Sequence, residues 1–322
     1  MNKRRRFFRI WLGASLVGSI LISGWPAGQV ATKTLSGTIS VSGAWALYPM
    51  VLKWAEEFKK IYPRVQIDVQ AGGAGKGIAD ALSGMADFGM VSRDIHPQEI
   101  TKGAFPLAVT KDGVVATASE KNPFLKQLLK QGVSRQQCLD FWVTGNIKSW
   151  GQVIGTAEKA SVHVYTRSDA CGAAETWAAF LGKRQEDLAG VGIYGDPGLA
   201  DAIRRDPLGV GYNNINFAYD AQTLRPVRGI VIIPIDLDGN GKVEDTENFY
   251  DTRDEITRAI AKNIYPSPPA RDLYLVSKGK PVKPACAGFL LWILTDGQKY
   301  VEETGYIPLG TDKIKEGLGK IK

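Results

Sequence analysis

"VQIDVQAGGAGKGIADALSGMADFGMVSRDI", residues 65–95, decides the fold. Val65, Ile67 and Val69 alternate with polar residues, as a strand does. A glycine-rich turn, Gly72 to Gly77, follows. Ile78, Ala81, Leu82 and Met85 then fall at helical spacing, and "DFGMVS" is a second strand. This is a β-loop-α-β unit.

The rhythm extends outward on both sides. "TISVSG" (38–43) reads as a strand, and Val51, Trp54, Ala55, Phe58, Ile61 and Tyr62 read as a helix ending at Pro63. Ser134 with Gln137, and Thr252 with Glu255, form capping boxes. "SVHVYT" is a strand that runs into "TRSDACGAAETWAAFLG" (166–182), and Asp196 before Pro197 reads as a helix N-cap. "GIVIIPI" (229–235) and "RDLYLVSK" are strands, and two helices close the chain. The alternation predicts an α/β fold with mixed, mostly parallel sheets flanked by helices.

Bulk properties narrow the class. At 322 residues the chain is long enough for one large or two medium domains. Its net charge of +7 points to a polyanion partner until the charge is located. Lys3, Arg4, Arg5, Arg6 and Arg9 carry five of those charges, and the first 31 residues hold no acid. The remainder carries +2, which excludes a nucleic-acid footprint. Residues 1–31 read as an export signal or an uncleaved N-terminal anchor: a basic start, an apolar run to Trp25, then small residues. The run "ACAGFLLWIL" (285–294) is too short to span a bilayer and reads as a buried helix. Three cysteines, Cys138, Cys171 and Cys286, leave at least one unpaired.

Three segments join a strand to a helix through small residues: "SGAWALYP" (42–49), "GGAGKG" (72–77) and "RSDACGAAE" (167–175). A helix start presents free N–H groups and the positive end of a dipole, so three converging starts would hold an oxyanion. Arg93 and Arg167 would add charge-assisted bonds. The plainer reading is three ordinary turns with surface arginines. "GGAGKG" lacks the GxxxxGK[ST] spacing of a nucleotide loop. Cys171 as a nucleophile needs a base, and His96 and His163 are the only histidines. Neither stands in a recognisable catalytic spacing, so no enzyme is expected. Trp54, Trp177 and Trp292 read as core, whereas Trp45 sits in a candidate ligand loop.

"GAWALYPMVLKWAEEFKKIYP", "GGAGKGIADALSGMADFGMVSRDI", "LDFWVTGNIKSWGQV", "RSDACGAAETW", "GVGYNNI" and "FLLWILTDGQKYVEETGYIPL" occur in this order. In that order they resemble the periplasmic phosphate-binding proteins of phosphate ABC transporters, the PstS family. The resemblance covers roughly residues 36 to 311. It implies a two-lobed, type II periplasmic-binding-protein fold, with lobe one at 34–114 plus 268–322 and lobe two at 115–267. It implies a periplasmic, monomeric binding protein that captures phosphate or a similar oxyanion and passes it to an ABC permease. A sensor or adaptor protein signalling to a membrane receptor is the alternative. No cofactor for chemistry is implied.

The resemblance places the ligand at Trp45, Ala46 and Leu47 of the first loop, at Ala74 and Gly75 of the second, and at Ser92 and Arg93. Arg167, Asp169, Cys171, Gly172 and Ala173 complete the set. The family's first loop carries Ser or Thr where this chain has Ala44 to Leu47, and its second loop a serine where Ala74 stands. Its third motif is Arg-x-x-Gly-Ser-Gly-Thr; here Cys171 replaces Ser and Ala173 replaces Thr. Trp45, Lys76 and Arg93 are the candidate substitutes for the lost donors.

"DLDGNGKVEDTE" (236–247) matches the twelve-residue calcium-loop pattern. Asp236, Asp238, Asn240, Lys242 (through its carbonyl) and Glu247 would be the ligands of a structural Ca²⁺. An acidic glycine-rich turn explains the same residues without a metal.

Overall fold

The computed structural model describes residues 35–321. The export leader expected at 1–31 therefore lies outside the described residues. Among the described residues, no helix is long and apolar enough to cross a membrane.

The first half of the sheet is built from the opening unit. β1 (Gly37–Gly43) and β2 (Val65–Ala71) pair in parallel, and β1 also pairs in parallel with β3 (Phe88–Val91). α1 (Tyr48–Ile61) connects β1 to β2, and α2 (Ala74–Ser83) connects β2 to β3. β1, α2 and β3 approach closely through glycines. A Cβ on Gly43 would lie 2.7 Å from the Gly77 Cα, and one on Gly77 would lie 2.5 Å from the Met90 carbonyl oxygen. This draws the α2 N-terminus down onto the ends of β1 and β3.

β4 (Ala104–Ser119) is sixteen residues long and belongs to both halves. Up to Gly113 it pairs antiparallel with β9 (Ala270–Lys278). From Val114 on it pairs antiparallel with β7 (Gly209–Asn214) and β8 (Ile230–Ile232). β5 (His163–Arg167) lies parallel to β7, and β6 (Val191–Ile193) parallel to β5. The sheet order is β2-β1-β3-β9-β4-β7-β5-β6, with β8 also on β4. Pairing is thus parallel at both ends and antiparallel at the crossing strands. α3 (Gly172–Phe180), α4 (Gly195–Arg205), α5 (Arg253–Ala261), α6 (Pro284–Ile293) and α7 (Thr311–Ile321) complete the layers that the site uses.

Two separate cores result. One holds Val41, Leu47, Trp54, Phe58, Met90, Leu273 and Phe289. The other holds Val115, Trp142, Trp150, Trp177, Tyr212 and Ile256. Trp177 stacks on Tyr212 at 5.6 Å between centroids and meets Trp142 edge-on at 5.2 Å. Such pairs contribute about 0.5–1.5 kcal/mol beyond area burial. Both capping boxes form: Ser134 Oγ accepts from the Gln137 N–H, and Thr252 Oγ1 from the Glu255 N–H. All three cysteines are free and buried.

Candidate functional site

The three strand-to-helix segments converge where the two cores face each other. Gly72 and Gly73 donate their N–H groups to the Gly43 carbonyl, which fixes the turn before α2. On the opposite side, Cys171 is the N-cap of α3. The two turns touch. The Gly75 N–H donates to the Ala170 carbonyl at 3.1 Å, and a Cβ on Gly73 would come 2.8 Å from the same oxygen. Ser92, which follows β3 and is buried, abuts Gly172. A Cβ on Gly172 would overlap the carbonyl and hydroxyl of Ser92. Trp45 reaches across from the first loop to Phe217, at 6.4 Å between rings, and to Gly195. Ala46, Leu47 and Ala74 are buried in one core. The helix ladder of α3 leaves the Gly172 and Ala173 N–H groups unspent.

The charged residues are engaged more fully than the sequence reading allows. Arg167 Nε and Nη2 donate to Asp169 at 2.8 and 2.6 Å, and Nη1 donates to Asp196 at 2.7 Å. Three of its five N–H donors are thereby spent. Burial would lower its pKa, but Asp196 and Asp169 outweigh that, so the pKa is raised. Asp196 is not the N-cap of α4, as its Asp-Pro signature suggests. Tyr194 holds that place, and Asp196 is a buried counter-ion inside the first turn. Arg93 gives Nη1 and Nη2 to Glu99 and Nε to Glu175, the latter at 2.9 Å. Lys76 pairs with Asp80 and donates to Ser42 at 2.8 Å. Arg93 thus spends four of its five N–H donors, one of them on the Asp94 carbonyl, and Lys76 two of its three, which leaves each one donor. Trp45 Nε1 is buried without a partner and keeps its own donor.

Cys171 Sγ accepts from the Ala174 N–H at 3.4 Å, and its own N–H donates to Gln185 at 3.1 Å. Burial pushes the thiol up to about 12, against the opposing pull of Arg167. His96 bonds Glu175 at 2.7 Å and His163 bonds Asp206 at 2.7 Å, so both histidines serve carboxylates. A buried thiol held protonated is a poor nucleophile.

Beneath the site lies a network that sequence reasoning missed. Asn214 Nδ2 donates to Asp196 at 2.7 Å, Arg271 donates to Asn214, and Arg271 stands 3.6 Å from Asp112. Asp112 is fully buried with both oxygens unpartnered, and burial raises its pKa to about 7 against the pull of Arg271. The available signal was an adjacent pair of opposite charges inside each of two apolar strands, Lys111-Asp112 in β4 and Arg271-Asp272 in β9.

The twelve-residue loop follows a short strand pair, Ile235–Asp236 beside Val133–Ser134. One carboxylate oxygen each from Asp236, Asp238 and Glu247 lie within 4.8 Å of one another. Asp236 accepts from the N–H groups of Gly239, Asn240 and Gly241, and Glu247 from those of Leu237 and Glu244. The Asn240 amide donates to Asp238 at 3.0 Å, and the Lys242 ammonium lies 3.8 Å from Glu244.

Residues 28–297 match the PBP superfamily domain. The chain belongs to the PBP superfamily. The phosphate-binding protein PstS of Methanocaldococcus jannaschii is 23% identical over 374 residues, spanning 98% of this chain and 95% of that protein. PstS of Pseudomonas aeruginosa is 26% identical over 316 residues, spanning 89% and 88%. Among solved structures, a putative phosphate ABC transporter substrate-binding protein with bound phosphate from Clostridium perfringens superposes with a TM-score of 0.69 at 21% identity. That match covers 85% of this chain and 100% of that one. An ABC-type phosphate transport receptor from Vibrio cholerae gives 0.61 at 18%, covering 84% and 100%. These likenesses establish the α/β, two-lobed fold.

Proposed function

We propose that this chain is an extracytoplasmic solute-binding protein that captures phosphate, or an oxyanion of its kind, and hands it to an ABC permease. The observation that carries the reading is the meeting of two helix starts from separate cores, α2 and α3, with Ser92 and Gly172 between them. Backbone N–H groups at such starts take an anion without a fixed cation. The names of the relatives support the same ligand class. Lobe one is residues 34–114 plus 268–322, lobe two is 115–267, and β4 and β9 join them. The ligand is held at Trp45 to Leu47, Ala74, Gly75, Ser92, Arg93, Cys171, Gly172 and Ala173, with the two remaining donors of Arg167 and with Asp169 orienting that arginine. Residues 236–247 hold a structural Ca²⁺ that stiffens lobe two, and the protein acts as an exported monomer. Titration calorimetry with phosphate, arsenate, sulfate, molybdate and tungstate tests the ligand. One-to-one uptake of a tetrahedral anion supports the proposal, and silence from all five removes it.

A further inference from the structure

A cavity of about 650 Å³ lies away from the cleft, between α5 with residues 221–224 and the turn 302–308. That volume is within the usual range of small-molecule sites. Its walls come from both cores: Ile307 packs in one and Tyr306 in the other.

Arg253 lines this cavity and is only 3% exposed. Its hydrogen bond is from Nη2 to the Glu303 carbonyl at 3.2 Å, and Nε has no partner. Four arginines are buried among the described residues. Arg93, Arg167 and Arg271 each stand within ion-pair distance of a carboxylate, and Arg253 does not. Burying a cation without a counter-ion is expensive. The neighbouring backbone is shaped around it: Gly305, at φ +86, would place a Cβ 2.6 Å from Arg253 Nε and Cζ. A side chain at 305 would displace the guanidinium. Asp254 and the exposed Glu302 and Glu303 line the same space, with the exposed Arg258 as its one further cation.

We propose that this cavity is a second ligand site, for a small zwitterion that sets a carboxylate against Arg253 and an ammonium against Asp254 and Glu302. The chemistry is that of an amino acid or a short peptide. The carboxylate supplies the counter-ion that Arg253 lacks, in the planar, bidentate geometry a guanidinium favours. The site also communicates with the cleft. Tyr306 lines the cavity, and its hydroxyl donates to the Ala46 carbonyl of the first ligand loop at 2.6 Å. A ligand touching both lobes shifts their closure, and the coupling to the cleft is reciprocal.

The test uses the full chain and glycylglycine as probe, with acetate and ethylamine as half-ligands, followed by calorimetry or NMR. Glycylglycine is expected to saturate at or below about 10 mM, a weak but specific range. Each half-ligand should bind at least about tenfold more weakly, since each makes one of the two charged contacts. Arg253→Met should weaken glycylglycine at least about tenfold while melting no lower than wild type, because it removes a buried charge that has no carboxylate within ion-pair distance. Glu302→Gln, on the exposed rim, should weaken it a few-fold and leave folding untouched. Phosphate uptake in the cleft should survive both substitutions, which separates this site from the proposed function. No saturation with glycylglycine, or unchanged affinity in both variants, overturns the proposal. A lower melting temperature in Arg253→Met with unchanged affinity in Glu302→Gln would make Arg253 a packing residue and overturn it equally.

Discussion

Cys171→Ser is expected to raise stability and phosphate affinity by two separable amounts. In the wild type, Sγ caps α3 by accepting from the Ala174 N–H at 3.4 Å. Sulfur is a weak acceptor, and a serine hydroxyl in the same place is among the best caps. The gain from capping is about 1 kcal/mol, which corresponds to roughly 2 °C in melting temperature for a chain of this size. The serine also has a proton to donate toward the cleft, which the buried thiol offers only weakly. A hydrogen bond to a charged acceptor contributes about 1.5–3 kcal/mol, so phosphate should bind roughly 10- to 150-fold more tightly. Scanning calorimetry in the absence of phosphate reads the cap. Titration calorimetry reads the anion contact. A higher melting temperature with unchanged phosphate affinity would refute the placement of the anion beside residue 171.

Other outcomes follow from the same geometry. Ala74→Ser with Ala173→Thr should tighten phosphate further, measured by competition with arsenate, and weaker binding would mean the cleft is shaped for a different solute. Asp112 has a folded pKa of about 7 against an ordinary 3.8, so its proton-linked stability is present at low pH and lost as pH rises toward 7. The melting temperature of Asp112→Asn minus that of wild type should therefore grow between about pH 4 and 7 and then level off, and a constant difference would contradict the raised pKa. Added Ca²⁺ should raise the melting temperature of the wild type and not of Asp238→Ala; an equal response removes the metal from residues 236–247. Cys171 should resist iodoacetamide at pH 8 in the native state, read by intact mass, because its thiol stays protonated and buried.

The parts legible in the sequence are those set by local chemistry. The β-loop-α unit at 65–95 and the boxes at Ser134 and Thr252 depend on neighbours within a few residues, and each forms. Lys76 and Asp80 are one helical turn apart, so their ion pair was also open to the i,i+4 rule. Asp196 was misleading because Asp-Pro is a local start signal, whereas its carboxylate answers Arg167, 29 positions away. The same limit applies to Glu175, which meets Arg93 and His96 only after the two cores come together. In the sequence Arg253 is simply the first helical residue after the Thr252 cap. Its isolation is a property of what surrounds it in space and left no mark on the spacing.

The most direct test of the account is a phosphate isotherm on the wild type beside Gly172→Ala. Alanine suits the first turn of α3, yet its Cβ would overlap Ser92 across the cleft and hold the two sides apart. The account predicts one phosphate per wild-type chain and at least about a tenfold loss in Gly172→Ala. Absence of phosphate binding in the wild type, or equal binding by both proteins, would contradict it.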